Sequence, residues 1–281
     1  MENYGCFIVL FTAYEELAYA TYVNEYNSGH FDTARWYADT ALVIMQKIIP
    51  SNHLLMASSQ RVLALILEEI AIDLNDKKKS QEMLNQAEEL HLSAVTLSSS
   101  AFGEMNVQTA KHYGNLGRLY QTMEKFHQAE QMHLKAIHIK ETLLGKDDYE
   151  VALSIGHLAS LYNYDLEDIR KAEELYLRSI AISLRLFGPA YSGLEYDYRG
   201  LVRVYELSSD WNNVYKYIYK LRDWKDLRRA KETDSNHEIF FTSTTALGIT
   251  KVIQSIKSLA SNTYSDDSVV SMDSTESIVR Q

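Results

Sequence analysis

The sequence predicts an all-α fold, a right-handed superhelical solenoid of about five long helix pairs with a period of about 42 residues. A small residue recurs at spacings of 53, 42, 43 and 42, a large apolar residue stands three positions before each, and a helix-stopping residue follows sixteen positions after the first four. The three columns are Ala34, Ala87, Ala129, Ala172 and Val214; Phe31, Leu84, Phe126, Ile169 and Trp211; and Pro50, Gly103, Gly145 and Gly188. Three columns that share one period indicate a true repeat.

Each unit is predicted to contain two helices. In the third unit, residues 109–123 carry Leu116 and Tyr120 on one helical stripe, and residues 126–144 form a second periodic segment. Gly145 is well placed to adopt a positive φ after the second helix. Because only two residues join the segments, the two helices are expected to be antiparallel neighbours.

Two glycines interrupt the first helix of the third unit. Gly114 and Gly117 each destabilise a helix interior by about 1 kcal/mol relative to alanine. The expected reason is close approach of the partner helix, nearly backbone to backbone, opposite Ala129. Fuller burial of one Leu or Tyr, which stabilises by about 1.5 to 3 kcal/mol, would offset both glycines.

The predicted organisation has three parts: an atypical start at 1–11, the solenoid at 12–230, and a Ser/Thr-rich tail at 231–281. A longer first helix and a basic turn at 77–79 are expected to cause the 53-residue spacing. The fifth unit has Arg199 where a glycine is expected and is interpreted as a terminal unit. In the tail, apolar spacing predicts a capping helix at 246–261 and disorder after 262.

Composition excludes several classes of partner. A net charge of -10 and a pI near 5.4 argue against nucleic acid and favour basic protein segments. The single cysteine, Cys6, fits a reducing compartment. The apolar run at 5–11 is too short to span a bilayer, so direct membrane insertion is not expected. The predicted location is the cytoplasm, with the cytoskeleton, the nucleus and the membrane periphery as alternatives.

Motifs for catalysis or metal binding are missing from the sequence. It contains neither a glycine-rich phosphate loop nor a GxSxG elbow. His127, His133 and His138 are five and six residues apart and form no HxxxH or HExxH pattern. His91 and His133 share a repeat column with Tyr176, which indicates core packing. We therefore expect no catalytic residue, no metal, no cofactor and no enzymatic activity.

The concave face of the solenoid is the candidate binding site, because the first helices of stacked pairs line such a groove. Its predicted inward residues are Lys111, Asn115 and Arg118 in the third unit, His157, Ser160 and Asn163 in the fourth, and Tyr196, Arg199, Arg203 and Glu206 in the fifth. Four of them are cations in an acidic protein. One interpretation is capture of a carboxylate or an acidic peptide; the other is a hydrated surface whose charges pair internally.

The pattern of Leu116, Gly117, Tyr120 and Ala129 resembles the tetratricopeptide repeat. Units that run on to "LLG" or "LFG" are similar to the lengthened repeats of kinesin light chains. Four longer stretches closely resemble a family of amyloid protein-binding adaptors related to kinesin light chains, over about residues 12–227. They are "RVLALILEEIAIDL", "GEMNVQTAKHYGNLGRLYQ", "GKDDYEVALSIGHLASLYNYD" and "YSGLEYDYRGL".

The resemblance implies a non-enzymatic adaptor. Members of the family bind the sorting signal in the cytoplasmic tail of the amyloid precursor protein and associate with microtubules. They also serve as substrate receptors of cullin-2-RING ubiquitin ligases, which read carboxy-terminal degrons with an arginine near a final glycine. The implied partners are therefore degrons, precursor-like tails, elongin and cullin-2, and microtubules or kinesin. A scaffold that uses its convex face or its tail is the competing interpretation.

The resemblance also suggests roles for the groove residues. Lys111, Asn115, Arg118, Arg199 and Arg203 would hold the terminal carboxylate of a degron. Asp197 or Glu206 would hold its arginine. The family's amino-terminal half, which docks on elongin and cullin, has no counterpart in these 281 residues. The chain is expected to be a short relative, a partial gene model or an isolated repeat half.

Overall fold

A computed structural model describes residues 2–26 and 29–239, with the side chains of 9–26 and 29–230. Residue contacts divide the chain into two units, Met1–Arg228 and Arg229–Gln281. The predicted capping helix at 246–261 and the predicted disorder after 262 lie outside the described residues. The predicted start at 1–11 falls largely within the first helix, which runs without a break from Glu2.

The described part of the chain contains ten helices and no strand, arranged as five pairs. The pairs are α1 (Glu2–Glu25) with α2 (Asp32–Ile48), α3 (Met56–Asp73) with α4 (Lys77–Phe102), α5 (Val107–Thr122) with α6 (Phe126–Leu144), α7 (Tyr149–Tyr164) with α8 (Ile169–Phe187), and α9 (Leu194–Leu207) with α10 (Trp211–Ile239). The predicted all-α solenoid of about five pairs is confirmed.

The stacking of the pairs places the first helices on the inner side of the curve. Each second helix from α2 to α8 packs on the next first helix, and α1, α3, α5, α7 and α9 also contact one another in succession. Within the described ranges the second helices make no comparable contacts with one another. A curved stack is more crowded on its concave side, so the first helices form the wall of the groove.

Local sequence explains where the helices begin and end. Asn106 and Asp148 cap α5 and α7 by accepting hydrogen bonds from the backbone N–H two residues later. Gly103, Gly145 and Gly188 follow the second helices with φ values of 84°, 89° and 74°, which glycine adopts without strain. The predicted limits of α6 match those observed, and those of α5 differ by one or two residues.

The second unit corrects a prediction. The basic segment at 77–79 is the first turn of α4 and not a connecting turn. Asp76 caps it by accepting from the backbone N–H groups of Lys78 and Lys79 at 3.0 and 3.3 Å. Since α4 begins seven residues before Leu84, most of the extra spacing lies in a lengthened second helix. An aspartate before a lysine run is a recognisable helix start that periodicity alone does not reveal.

The two interior glycines of α5 also differ from expectation. A Cβ at Gly117 would lie 3.0 Å from the His133 imidazole, so this glycine makes room for a side chain and not for a helix backbone beside Ala129. A Cβ at Gly114 would meet nothing within 4 Å. Close packing therefore accounts for Gly117 but not for Gly114.

His91, His133 and Tyr176 confirm the predicted packing column, with exposed fractions of 0%, 1% and 0%. Each extends from a second helix into the interface between two pairs. At the interface between the last two pairs, Gly200 on α9 makes room for Tyr176 on α8, because its Cβ would lie 2.3 Å from Tyr176 Cζ; Gly117, in contrast, makes room for His133 of its own pair. None of the helices in the described ranges has the length and apolar character that crossing a membrane requires.

We expect Gly200→Ala to lower the free energy of unfolding by about 1 to 2 kcal/mol. Overpacking costs about 1 to 3 kcal/mol, and a contact of 2.3 Å with the buried Tyr176 ring places the cost here at about 2 to 3, of which the better helix propensity of alanine returns only about 1. Gly114→Ala is the matched control and should raise stability by about 0.5 to 1 kcal/mol, since its methyl group meets open space. Urea unfolding measures both, and a stable Gly200→Ala protein would contradict the packing account.

Candidate peptide-binding groove

Helices α5, α7 and α9 carry all the predicted site residues. Tyr196, Arg199 and Glu206 are exposed, whereas Asn163 and Asp197 are buried; the half-buried ones are Lys111, Asn115, Arg118, His157, Ser160 and Arg203. Exposure thus separates residues available to a ligand from residues that join neighbouring helices.

Three of the four predicted cations form ion pairs within the chain. Lys111 Nζ lies 2.9 Å from Glu150 on α7, Arg118 lies 3.0 Å from Glu68 on α3, and Arg199 lies 2.7 Å from Glu195, one turn earlier on α9. The Arg118 pair is the most buried, since Glu68 is only 2% exposed. These pairs reduce the charge that the groove offers to a ligand.

Arg203 is the exception among the four cations. Its guanidinium carbon lies 4.8 Å from the centre of the Tyr164 ring, a cation–π arrangement that fixes its orientation. Among the residues whose side chains are described, it forms no ion pair, and its buried Nε has no hydrogen-bond partner. Arg203 therefore keeps donors for an anionic ligand group.

Polar residues of α7 contact neighbouring helices and stabilise the wall of the groove. Asn163 Nδ2 donates to the Gly200 carbonyl on α9 at 3.2 Å. The His157 ring stacks on His133 with centroids 6.2 Å apart. The described side chains contain no group of three or more His, Cys, Asp or Glu that is arranged for a metal ion.

A cavity of about 130 Å³ opens between α7, α8 and α9. Tyr149, Tyr191 and Tyr196 supply its aromatic lining, and Asp197 and Ser179 supply polar groups. The other lining residues are Ala152, Leu153, Gly156, His157, Ser183 and Gly193. The volume accommodates the end of one side chain and not a large ligand.

Asp197 is the unusual group of this cavity, because a carboxyl that is only 4% exposed has a single hydrogen-bond donor. Ser179 Oγ donates to Oδ2 at 2.7 Å, and Oδ1 accepts none from the residues whose side chains are described. Burial raises the pKa of Asp197 to about 7, and the Ser179 hydrogen bond opposes this increase. A cation that entered the cavity would stabilise the ionised form and find aromatic faces around it.

The aromatic part of the site was not predicted from the sequence. Tyr149 and Tyr191 follow Gly145 and Gly188 by four and three residues, at the starts of first helices. Tyr164 ends α7 beneath Arg203. A tyrosine shortly after Gly145 and another shortly after Gly188 were the available signal, but the predicted groove included only positions inside the first helices.

Comparisons with known proteins agree with this geometry. Models of the tetratricopeptide repeat match residues 78–142 and 151–190. A kinesin light chain-like protein of Podosopora anserina with nearly identical repeats superposes with a TM-score of 0.56 at 17% identity, covering 76% of this chain and 94% of that one. BtubC (BKLC) of P. vanneervenii gives a TM-score of 0.54 at 19% identity, covering 79% and 91%. Identities this low show the fold alone.

Sequence relatives are closer. Amyloid protein-binding protein 2 of Mus musculus is 58% identical over 217 residues, and that of Rattus norvegicus is 60% identical over the same length. Both alignments cover 77% of this chain, which spans 37% of the length of those relatives. The chain is therefore a tetratricopeptide-repeat protein related to amyloid protein-binding protein 2, with the architecture of a protein-binding scaffold.

Proposed function

We propose that this protein is a peptide-binding adaptor whose groove takes an extended segment with an arginine and a free carboxy terminus close together. The observation that carries the proposal is the buried Asp197 carboxyl, which faces a tyrosine-lined cavity with one oxygen unpartnered. Arg203 provides the complementary anion site on the same helix.

The spacing of the two sites supports one mode of binding. Asp197 and Arg203 are six residues apart on α9, which corresponds to about 9 Å along a helix axis. Three residues of extended chain span about 10 Å. The two residues also lie about 120° apart around the helix axis, so the side chain of the peptide's arginine has to bridge from a main chain near Arg203 into the cavity. A peptide with arginine three positions before its last residue is the length that we propose for this mode of binding.

The finer form of the proposal is a substrate receptor of a cullin-2-RING ubiquitin ligase that recognises carboxy-terminal degrons. Its support is the family resemblance and the pairing of a cation cavity with an anion site. Elongin and cullin-2 would be partners of the region that the longer relatives possess, since this chain spans 37% of their length.

Two alternatives remain distinct. A trafficking adaptor for amyloid precursor protein-type tails, on microtubules or kinesin, is supported by the name of the relatives and by the kinesin light chain-like repeats. A scaffold without a groove ligand is supported by the internal pairing of Lys111, Arg118 and Arg199.

Fluorescence polarisation with a labelled ten-residue peptide that ends in Arg-Ala-Ala-Gly tests the proposal. We expect Arg203→Gln to raise Kd by about 10- to 100-fold, because a charge-assisted hydrogen bond contributes about 1.5 to 3 kcal/mol. Amidation of the peptide's terminal carboxylate should have a similar effect on the wild-type protein. Arg185→Gln is the matched control, since Arg185 is an exposed arginine that pairs with Asp147, and neither residue lines the cavity.

The outcomes separate the alternatives. Equal Kd values for Arg203→Gln, the amidated peptide and the wild-type complex would contradict the carboxylate site. If the wild-type protein binds this peptide no better than a scrambled one, the proposal that the groove recognises carboxy-terminal degrons is wrong. Capture of a precursor-like tail or of a convex-face partner is then the alternative to test.

A further inference from the structure

Gly114 is a glycine that packing within the chain does not explain. Glycine is unfavourable inside a helix, and a Cβ at this position would meet nothing within 4 Å. In contrast, a Cβ at Gly117, Gly156 or Gly200 would meet a neighbouring side chain at 3.3 Å or closer. These glycines lie in consecutive first helices of the same groove, so the difference does not reflect a different kind of element.

The open space at Gly114 lies on the wall of the groove. Gly114 shares a helical stripe with Lys111 and Arg118, three residues before it and four after. Lys111 is bonded to Glu150 on α7, and Arg118 is bonded to Glu68 on α3. Both long side chains therefore extend toward neighbouring helices, and neither of them covers the surface of α5 at Gly114.

A second observation connects this surface to a ligand. One repeat along, the equivalent Gly156 lines the cavity, and the unpartnered Asp197 Oδ1 lies 3.3 Å from where a Cβ of Gly156 would be. Packed helices are about 8 to 10 Å apart, the length of about three residues of extended chain. A peptide whose cationic side chain fills the cavity therefore reaches Gly114 with its preceding residues.

We infer that the main chain of a bound peptide crosses α5 directly above Gly114, where the missing side chain allows close approach. The inference rests on the proposed function and adds the path of the peptide's upstream residues. The sites at Arg203 and Asp197 both lie on α9 and hold the end of the peptide; on the proposed path the segment that precedes the arginine then crosses Gly156 of α7, next to Asp197 Oδ1, and continues to α5. On this path, Gly114 determines how many residues of a peptide contact the groove.

Two peptides test the path: the ten-residue Arg-Ala-Ala-Gly peptide and a labelled, amino-terminally blocked four-residue version. In the wild-type protein the longer peptide should bind several-fold more tightly. Gly114→Ala should remove most of that gain and leave the Kd of the short peptide unchanged, while the Tm rises by about 2 to 4 °C. Gly114→Leu should remove the gain completely. Gln131→Ala, on the exposed surface of α6, should alter neither Kd.

The results distinguish a failure of this inference from a failure of the proposed function on which it rests. If the wild-type protein binds neither peptide, the proposed function fails and the path fails with it. If it binds both peptides but Gly114→Ala and Gly114→Leu keep the full gain from the longer one, the path alone is overturned. A higher Tm combined with a selective loss for the long peptide supports the inference, because a purely structural glycine would not respond to peptide length.

Discussion

We expect Arg118→Met to lower the free energy of unfolding by about 3 kcal/mol, because it leaves the Glu68 carboxylate buried without its cation. Glu68 is 2% exposed and would keep only the hydrogen bond from Thr122 Oγ1, at 2.8 Å. Arg118 itself is about one-third exposed, so water replaces part of its interaction. For this reason the expected loss is at the lower end of the 3 to 5 kcal/mol seen when buried pairs are broken.

Two further variants make the Arg118 prediction specific. The double variant Arg118→Met with Glu68→Leu should recover most of the lost stability, since no buried charge remains. Arg185→Met removes an ion pair whose side chains are 55% and 66% exposed, so it should leave stability nearly unchanged. Urea unfolding of all three measures the effect. A loss below about 0.5 kcal/mol in Arg118→Met would show that the pair does not join α3 to α5.

The Arg118 pair also bears on how binding data are interpreted. Arg118 was predicted to hold a ligand carboxylate, yet its guanidinium is already bonded to Glu68. Loss of peptide binding in an Arg118 variant would therefore reflect a loosened groove wall as readily as a missing contact. Arg203, which is held only by the Tyr164 ring and by packing, gives the cleaner test.

The second large effect is that of pH on stability. Burial, together with nearby positive groups, lowers the pKa of His91 and His133 to about 3 and that of His112 and His157 to about 4. Unfolding returns each imidazole to a pKa near 6.5, so the unfolded chain binds more protons below that value. Between pH 7.5 and 5.5 each histidine thus removes between about 1 and 2 kcal/mol of stability, about 5 kcal/mol for the four.

When the pH falls, Asp197 changes the stability of the protein in the direction opposite to the four histidines. Its pKa is raised to about 7 in the folded protein, so it takes up a proton in the same pH range while the unfolded chain does not. This uptake adds about 2 kcal/mol of stability between pH 7.5 and 5.5. The buried carboxyls of Asp39, Glu69 and Asp165 also have raised pKa values and act in the same direction. The net expected loss is about 3 kcal/mol.

Urea unfolding at pH 7.5 and 5.5 measures this balance. Asp197→Asn is the matched variant, because it removes the opposing proton uptake and should increase the loss to about 5 kcal/mol. His133→Gln should reduce the loss by between about 1 and 2 kcal/mol, since one buried imidazole no longer titrates. Equal stability of the wild-type protein at both pH values would show that these imidazoles are not held neutral by burial.

The helical repeat is predictable from the sequence because its signals are local. These signals are apolar residues three and four positions apart, a small residue every forty-odd positions and a glycine after the long second helices. Each of them can be read from the sequence without knowing which residues meet in the fold. The limits of α6 and the packing column of His91, His133 and Tyr176 were predicted correctly for this reason. The same approach failed at 77–79, where a capping aspartate outweighed the expectation of a turn.

The candidate site could be predicted from the sequence only in part. Repeat position predicted Arg203 as an inward residue of the groove, whereas Asp197 was suggested only by the family resemblance. Only the folded chain brings Tyr149, Tyr191 and Asp197 around one cavity, pairs Lys111 and Arg118 with acids on neighbouring helices, and leaves Gly114 open. The physical reason is range: helix formation and stacking follow from residues within one or two turns. Charge pairing and cavity shape depend instead on atoms that are separated by 18 to 50 positions and meet only after the pairs have stacked.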